Sequence, residues 1–179
     1  HLGRATLLIR QKQTTGQEEH GIVNMNEAIV TAKICLANTF LMYYKAHAYH
    51  WNVEGMFFSQ YHEFFGNLYQ ELYEAVDPLA EEIRALNEYA PKNIEELYKV
   101  TTINNDNSAS NVTEMLQDLQ DANDKTIEGL NKLFDLLTKN KEQGFANFIA
   151  DRLDAHKKHG WMIRSSLKKV DRKSTRLNS

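Results

Sequence analysis

Apolar residues recur at helical spacing through Tyr61, Phe64, Phe65, Leu68, Leu72, Val76, Leu79, Ile83 and Leu86, which predicts one long helix from about Ser59 to Asn87. Two residues with ligand chemistry, His62 and Asp77, lie fifteen positions apart on it. At about 100° per residue they differ by roughly 60° in azimuth and share a face. At about 1.5 Å per residue they stand ~22 Å apart along the axis, so one chain cannot place both on one ion. Asp77 and Glu81 are a single turn apart and can face the same ion. A two-fold partner lying antiparallel would carry Asp77 and Glu81 to the histidines of the other copy, His50 and His62. Imidazole together with carboxylate suits iron or zinc.

Three further segments carry the same period. One starts near Asn24 or Asn26 as cap and runs through Ile29, Ala32, Leu36, Phe40 and Tyr43 to about Trp51. Another starts at Ser108 or Ser110 and runs through Met115, Leu119, Ile127, Leu133 and Leu137, and a last one spans about Gly144 to Lys169. Between the second and third lies a long crossover, Lys92 to Ser108, with room for a short helix at Ile94 to Lys99. Gly55 closes the first connection, Ser59 is the expected cap of the second helix, and Asn87 with Pro91 ends it. Pro78 interrupts that helix's hydrogen bonding directly after Asp77 and reads as a bend. Two prolines, few glycines and no alternating β-branched runs argue against sheets. Four long helices with one long crossover describe an all-α, ferritin-like four-helix bundle.

The domain is expected over residues 23–170, between a polar, flexible N-terminal tail (1–22) and a disordered C-terminal tail (171–179), for which native and non-native origins are both open. No run approaches the ~20 apolar residues of a membrane span. Cys35, the single cysteine, sits among Ile34, Leu36 and Ala37 as a small buried hydrophobe, which with no recognisable secretory signal predicts a cytoplasmic protein. A net charge of −3 gives the body no electrostatic footprint for nucleic acid.

The stretch His50-Trp51-Asn52-Val53-x-Gly55, His62 twelve positions after His50, and Asp77-Pro78-Leu79-Ala80-Glu81-Glu82-Ile83-Arg84 together resemble the Dps family of miniferritins, the DNA-protection-during-starvation proteins. Asp151-Arg152-Leu153-Asp154-Ala155-His156 and Trp161-Met162-Ile163-Arg164 fit as well, so the resemblance covers roughly residues 25 to 170. It implies a hollow dodecamer built from two-fold dimers that oxidises Fe(II), preferably with hydrogen peroxide, and stores ferric mineral, protecting against oxidative stress. His50 and His62 match the family's ligand histidines, and Asp77 and Glu81 its carboxylates from the partner subunit. Zinc is a plausible substitute for iron on such donors.

One ligand position departs from the pattern. Four residues after the second histidine the family usually has Asp or Glu, and here stands Gly66, which supplies no ligand and weakens the helix by ~1 kcal/mol relative to Ala. The expectation is one good iron position (His50, Asp77, Glu81) and one poor one (His62). The alternative is a non-enzymatic shell or DNA-compacting protein that keeps the fold with an impaired oxidation site. The resemblance further suggests Trp51 beside the site as a sink for oxidising equivalents, while His47 reads as a supporting residue. Pore candidates at a three-fold axis are Glu142, Asn147 (where the family's usual aspartate falls) and Asp151. Any DNA contact would use the C-terminal cations Lys168, Lys169, Arg172 and Lys173. His156 and His159 read as structural or surface residues.

Overall fold

The computed structural model describes residues 2–106 and 108–168, with side chains from Met25 onward. The expected flexible N-terminal tail is instead helical from Leu2, continuous with the rest of the first helix, while the expected C-terminal tail lies outside the described residues. Five helices follow in order: α1 (Leu2–Asn52), α2 (Phe58–Ala85), α3 (Ile94–Val100), α4 (Val112–Lys139) and α5 (Gln143–Leu167). No described residue is in a strand. The four long helices pair α1 with α2, α4 with α5, and α1 with α4, while the short α3 lies on α1. None of the helices, among the described residues, is long and apolar enough to cross a membrane.

The helix ends show which local signals the chain uses. Asn111 caps α4 by accepting from the Glu114 amide at 2.9 Å, and Glu114 reaches back to the amide and hydroxyl of Ser110. Asn93 and Glu96 repeat the device on α3. In both cases the asparagine satisfies a first-turn amide that has no intrahelical partner, and the glutamate three residues later holds the amide of the residue before the cap. The expected starts at Ser108 or Ser110 are therefore displaced to Asn111, whose amide oxygen reaches the first turn. Ser59 does not cap α2 either: the cap position is Phe57, without a side-chain bond, and Gly55 (φ 112°) makes the preceding turn. α1 runs on through Asn26, so that residue is no cap.

At its other end α2 closes with Asn87 in the left-handed conformation (φ 63°), its amide bonded to the Arg84 carbonyl and that of Glu88 to the Ile83 carbonyl. Asparagine tolerates this backbone better than most residues. The end of α4 uses the same arrangement with Lys141 (φ 59°). α2 continues unbroken through Pro78.

Two apolar clusters fill the bundle. One gathers Met42, Tyr49, Phe65, Leu72, Leu119 and Ile163; the other gathers Leu36, Leu79, Ile83, Leu133, Phe145 and Ile149. Cys35 belongs to the second, and burial pushes its thiol up to about 12, so it stays protonated. Asn38 ties the crossover to α1: its amide donates to Thr102 Oγ1 at 2.9 Å, and its carbonyl accepts from Thr101 Oγ1 and the Thr102 amide.

A polar network joins α2, α4 and α5. Arg152 grips Glu71 through two bonds of 2.7 and 2.8 Å, and His159 Nε2 meets the same carboxylate at 2.6 Å. His156 and His159 are both buried, so of the two expected readings, structural or surface, the surface one falls. The Asn123 amide donates to the His156 carbonyl, so its own oxygen must accept from His156 Nδ1 at 2.8 Å. His156 is thus held neutral with its proton on Nδ1, its pKa pushed well below the usual value by burial first and Arg152 second. In the unfolded chain His156 regains an ordinary pKa near 6.5 and binds a proton that the folded state refuses. Stability contributed by neutral His156 is complete above about pH 6.5 and falls with a slope approaching 1.4 kcal/mol per pH unit below it. Denaturation midpoints should drop between pH 6.5 and 5 in the parent protein and much less in His156→Gln. Equal slopes would remove His156 as the titrating group.

Candidate metal centre

His50 ends α1 and His62 opens α2, so the Gly55 turn folds one histidine onto the other. Their rings stack with centroids 3.7 Å apart and an interplanar angle of 18°. Each Nδ1 lies 2.6 Å from the other residue's backbone carbonyl: His50 Nδ1 from the His62 oxygen, His62 Nδ1 from the His50 oxygen. A carbonyl oxygen only accepts, so both Nδ1 atoms carry protons. In the neutral rings both Nε2 atoms therefore keep free lone pairs, the state that a metal requires. Phe58 stacks on the outer face of His62 at 5.0 Å and helps fix its ring.

Gly66 is buried directly beneath His50. A Cβ there would stand 3.1 Å from both Cε1 and Nδ1 of His50, tighter than an ordinary contact. The glycine thus has a packing role that the sequence did not disclose: it lets the imidazole lie on α2.

Asp77 and Glu81 are exposed near the far end of α2, where Leu79 and Ile83 between them join the second apolar cluster. The fold brings His50 and His62 together and leaves Asp77 and Glu81 away from them, as the ~22 Å axial separation requires. Among the described residues no group of three or more His, Cys, Asp or Glu is placed to hold one ion.

An aromatic sheath surrounds the histidines. His47 lies between Tyr69, stacked at 3.9 Å, and Trp51 at 4.0 Å, and its Nδ1 shares a 3.1 Å hydrogen bond with the Tyr43 hydroxyl. Burial first and His50 second hold His47 below its usual pKa. Trp51, Tyr44, Phe57, Phe58 and Tyr73 all stand largely exposed on this side. Sequence reasoning singled out Trp51 and His47 but missed Tyr43 and Tyr69. Their signal was available: Tyr43, His47 and His50 fall at i, i+4 and i+7, and Tyr69 falls seven after His62.

The other candidates lie elsewhere. Asn147 and Asp151 are exposed one turn apart on α5. Glu142 precedes α5, and the Glu82 carboxyl is raised by burial and, after that, by the Glu142 charge. Glu82 is an acidic neighbour that sequence spacing did not single out. Lys168 is exposed at the end of α5; Lys169, Arg172 and Lys173 lie outside the described residues.

The ferritin-like domain family matches residues 35–173. A low temperature-induced protein of Nostoc is 26% identical over 153 residues, covering 84% of this chain and 82% of that one. General stress protein 20U of Bacillus subtilis is 29% identical, covering 74% of this chain and 91% of the relative. The crystallographic Dps of Thermosynechococcus elongatus superimposes with a TM-score of 0.81 at 23% identity, over 85% of this chain and 97% of that chain. The all-helical bundle, its crossover and the span of these matches define a ferritin-like protein, and this chain belongs to that family. Within it, the chain is a miniferritin of the Dps family, with Dps proteins among both its sequence relatives and its structural neighbours.

Proposed function

We propose that this chain is an iron-storing miniferritin that oxidises Fe(II), with hydrogen peroxide as acceptor, at a site shared between two subunits. The observation that carries the reading is the reciprocal bonding of His50 and His62, which fixes both rings with Nε2 free. A two-fold partner, antiparallel along α2, supplies Asp77 and Glu81, whose exposure leaves them available to another subunit. The exposed aromatic side chains around Trp51 are the apolar surface that such a partner would cover. Two imidazoles and two carboxylates suit Fe(II) as substrate, and zinc as a competitor for the same donors. Each Fe(II) gives up one electron, so two are consumed per peroxide reduced to water. The protein's part is to hold the ion and confine the reaction beside His50. Trp51 and the tyrosines near it supply oxidisable side chains close by.

Anaerobic loading with Fe(II), followed by peroxide, should give ferric absorbance that saturates at a fixed iron-to-subunit ratio. Oxidation no faster than a protein-free control would overturn the reading. Gly66 favours a second reading, in which the fold outlives the chemistry as a storage or DNA-binding shell without oxidase activity. Gly66→Asp decides how far the missing carboxylate limits the second iron position. The added Cβ obliges the His50 ring to move by a few tenths of an ångström, so Gly66→Ala is the control with the same contact and no ligand. More iron bound and faster oxidation in Asp than in Ala is the expected result; identical behaviour would end the one-good, one-poor assignment. DNA contact would rest on Lys168 and the cations beyond it. Salt-sensitive plasmid retardation, lost on removing both tails, is the result that would support it.

A further inference from the structure

The buried polar side chains between α2, α4 and α5 form one continuous chain of contacts. Asn123 of α4 accepts from His156 Nδ1–H at 2.8 Å, and Arg152 Nη2 points a hydrogen at His156 Nε2 from 3.4 Å. The Arg152 fork then holds Glu71 of α2, which also accepts from His159 Nε2–H. His156 is fully buried, whereas the Glu71 side chain is 34% exposed. The charged groups facing His156 are Arg152 and His159 of its own helix and Glu71 of α2, with Arg164 beside Asn123 over Gly160. From α4 it meets the neutral Asn123 amide.

We propose that His156 is the catch of an acid-released latch between α2 and α5: a proton on its Nε2 makes Arg152 let go of Glu71, and α5 lifts from α2 while the rest of the bundle stays folded. Nδ1 already carries a hydrogen, and Asn123 cannot turn its amide round, because its Nδ2 is held by the His156 carbonyl at 3.0 Å. A second proton must therefore go to Nε2. There it stands N–H against the N–H of Arg152, donor to donor and cation to cation. Arg152 is the member that can move, since its long chain ends at Glu71, where water reaches the carboxylate. His159 works the other way. A proton there goes to Nδ1, which has no partner, and leaves the Nε2–H bond to Glu71 in place. Glu71 is held far below the usual carboxylate range by His159 and Arg152 against the opposing effect of burial, so it keeps its charge in mild acid. The device differs from the loss of overall stability described for the same residue, because it opens one seam while the bundle is still folded. It does not depend on iron chemistry.

The test uses the full chain as it assembles, with backbone hydrogen exchange read by mass spectrometry at pH 7.5 and pH 5. Rates are corrected for the intrinsic dependence of exchange on pH. In the open seam His156 meets water and regains a pKa near 6.5, so the opening constant should rise about thirtyfold between the two conditions. The rise should appear in peptides from 67–75 of α2 and 149–160 of α5, and be absent from 31–42 of α1 and 127–137 of α4. In His156→Gln, which takes up no proton, the seam should exchange alike at both pH values. A seam that stays closed at pH 5, an equal rise in every helix, or the same rise in parent and variant would each overturn the proposal. Should His156→Gln fail to fold, the parent decides alone. Its rise must stay confined to the seam, and carbodiimide labelling of Glu71 relative to the exposed Glu63 must increase at pH 5; unchanged labelling would equally overturn the latch.

Discussion

His50→Ala should bring Fe(II) oxidation down to the protein-free rate. Under the proposed shared site His50 has three roles at once: a free Nε2 for the ion, an Nδ1–H that holds the His62 carbonyl, and a carbonyl that holds His62 Nδ1–H. Its ring also forms one wall of the 3.7 Å stack against His62. The substitution deletes the proposed ligand and the ring wall against His62, while the residue-50 carbonyl still accepts from His62 Nδ1–H. Loss of an orienting partner alone typically costs 10–100-fold in metal affinity or activity, so loss of the ligand itself should exceed about a hundredfold. Glu81→Ala is the informative companion. Glu81 is exposed and far from His50 within the chain, so a monomer-contained site would be indifferent to it. Under the two-fold reading it should also lose oxidation, while the fold and the His50–His62 bonds stay intact. The measurement is ferric absorbance after anaerobic loading and peroxide addition. If Glu81→Ala oxidises iron at the parent rate, the shared site is wrong even if His50 matters.

Arg152→Ala should lower stability by about 3 kcal/mol, at the lower end for breaking a buried ion pair because Glu71 remains partly open to solvent. Arg152 is 9% exposed and grips Glu71 with both nitrogens of its fork. Together with His159 it holds the Glu71 carboxyl far below its usual range against the opposing effect of burial. α2 and α5 also meet through the apolar side chains of both clusters, and this pair with His159 forms the polar tie between them. At about 2–4 °C per kcal/mol for a chain of this size, the melting midpoint should fall by roughly 10 °C at fixed protein concentration. Replacing both partners, Arg152→Met with Glu71→Leu, should recover much of the loss, because no charge is then left unpaired. A single substitution costing under about 1 kcal/mol would show that water already serves the carboxylate. The sign with pH follows from the depressed Glu71 value. The contribution is complete above the ordinary glutamate range and is lost as pH falls through the lower folded value.

The periodic positions of this chain were enough to place α2 to α5 and the part of α1 after Asn24, while the helical turns before Asn24 were expected to be a tail. Leu68, Leu72, Leu79 and Ile83 are all buried where the 3.6-residue repeat put them, and the crossover helix begins at Ile94 as expected. Cap residues were less legible. Several short polar side chains compete before α4, and which one reaches an open amide depends on backbone angles that only the folded turn sets.

The site divides along the same line. One-dimensional spacing alone showed that His62 and Asp77 share a helix face yet stand too far apart for one ion, because rise and rotation per residue are fixed by the backbone. Three things needed the tertiary structure. Gly66 looked like a lost ligand, and proximity in space shows that it also makes room for the His50 ring. His156 and His159 gave no sign in sequence of sharing a buried network with Glu71 and Asn123, residues more than thirty positions away. The protonation of His50 and His62 was likewise beyond sequence, since it follows from which atom of each ring meets a carbonyl twelve residues distant. Local periodicity is a property of the chain. Tautomers, burial and ion pairing are properties of the neighbours that folding brings.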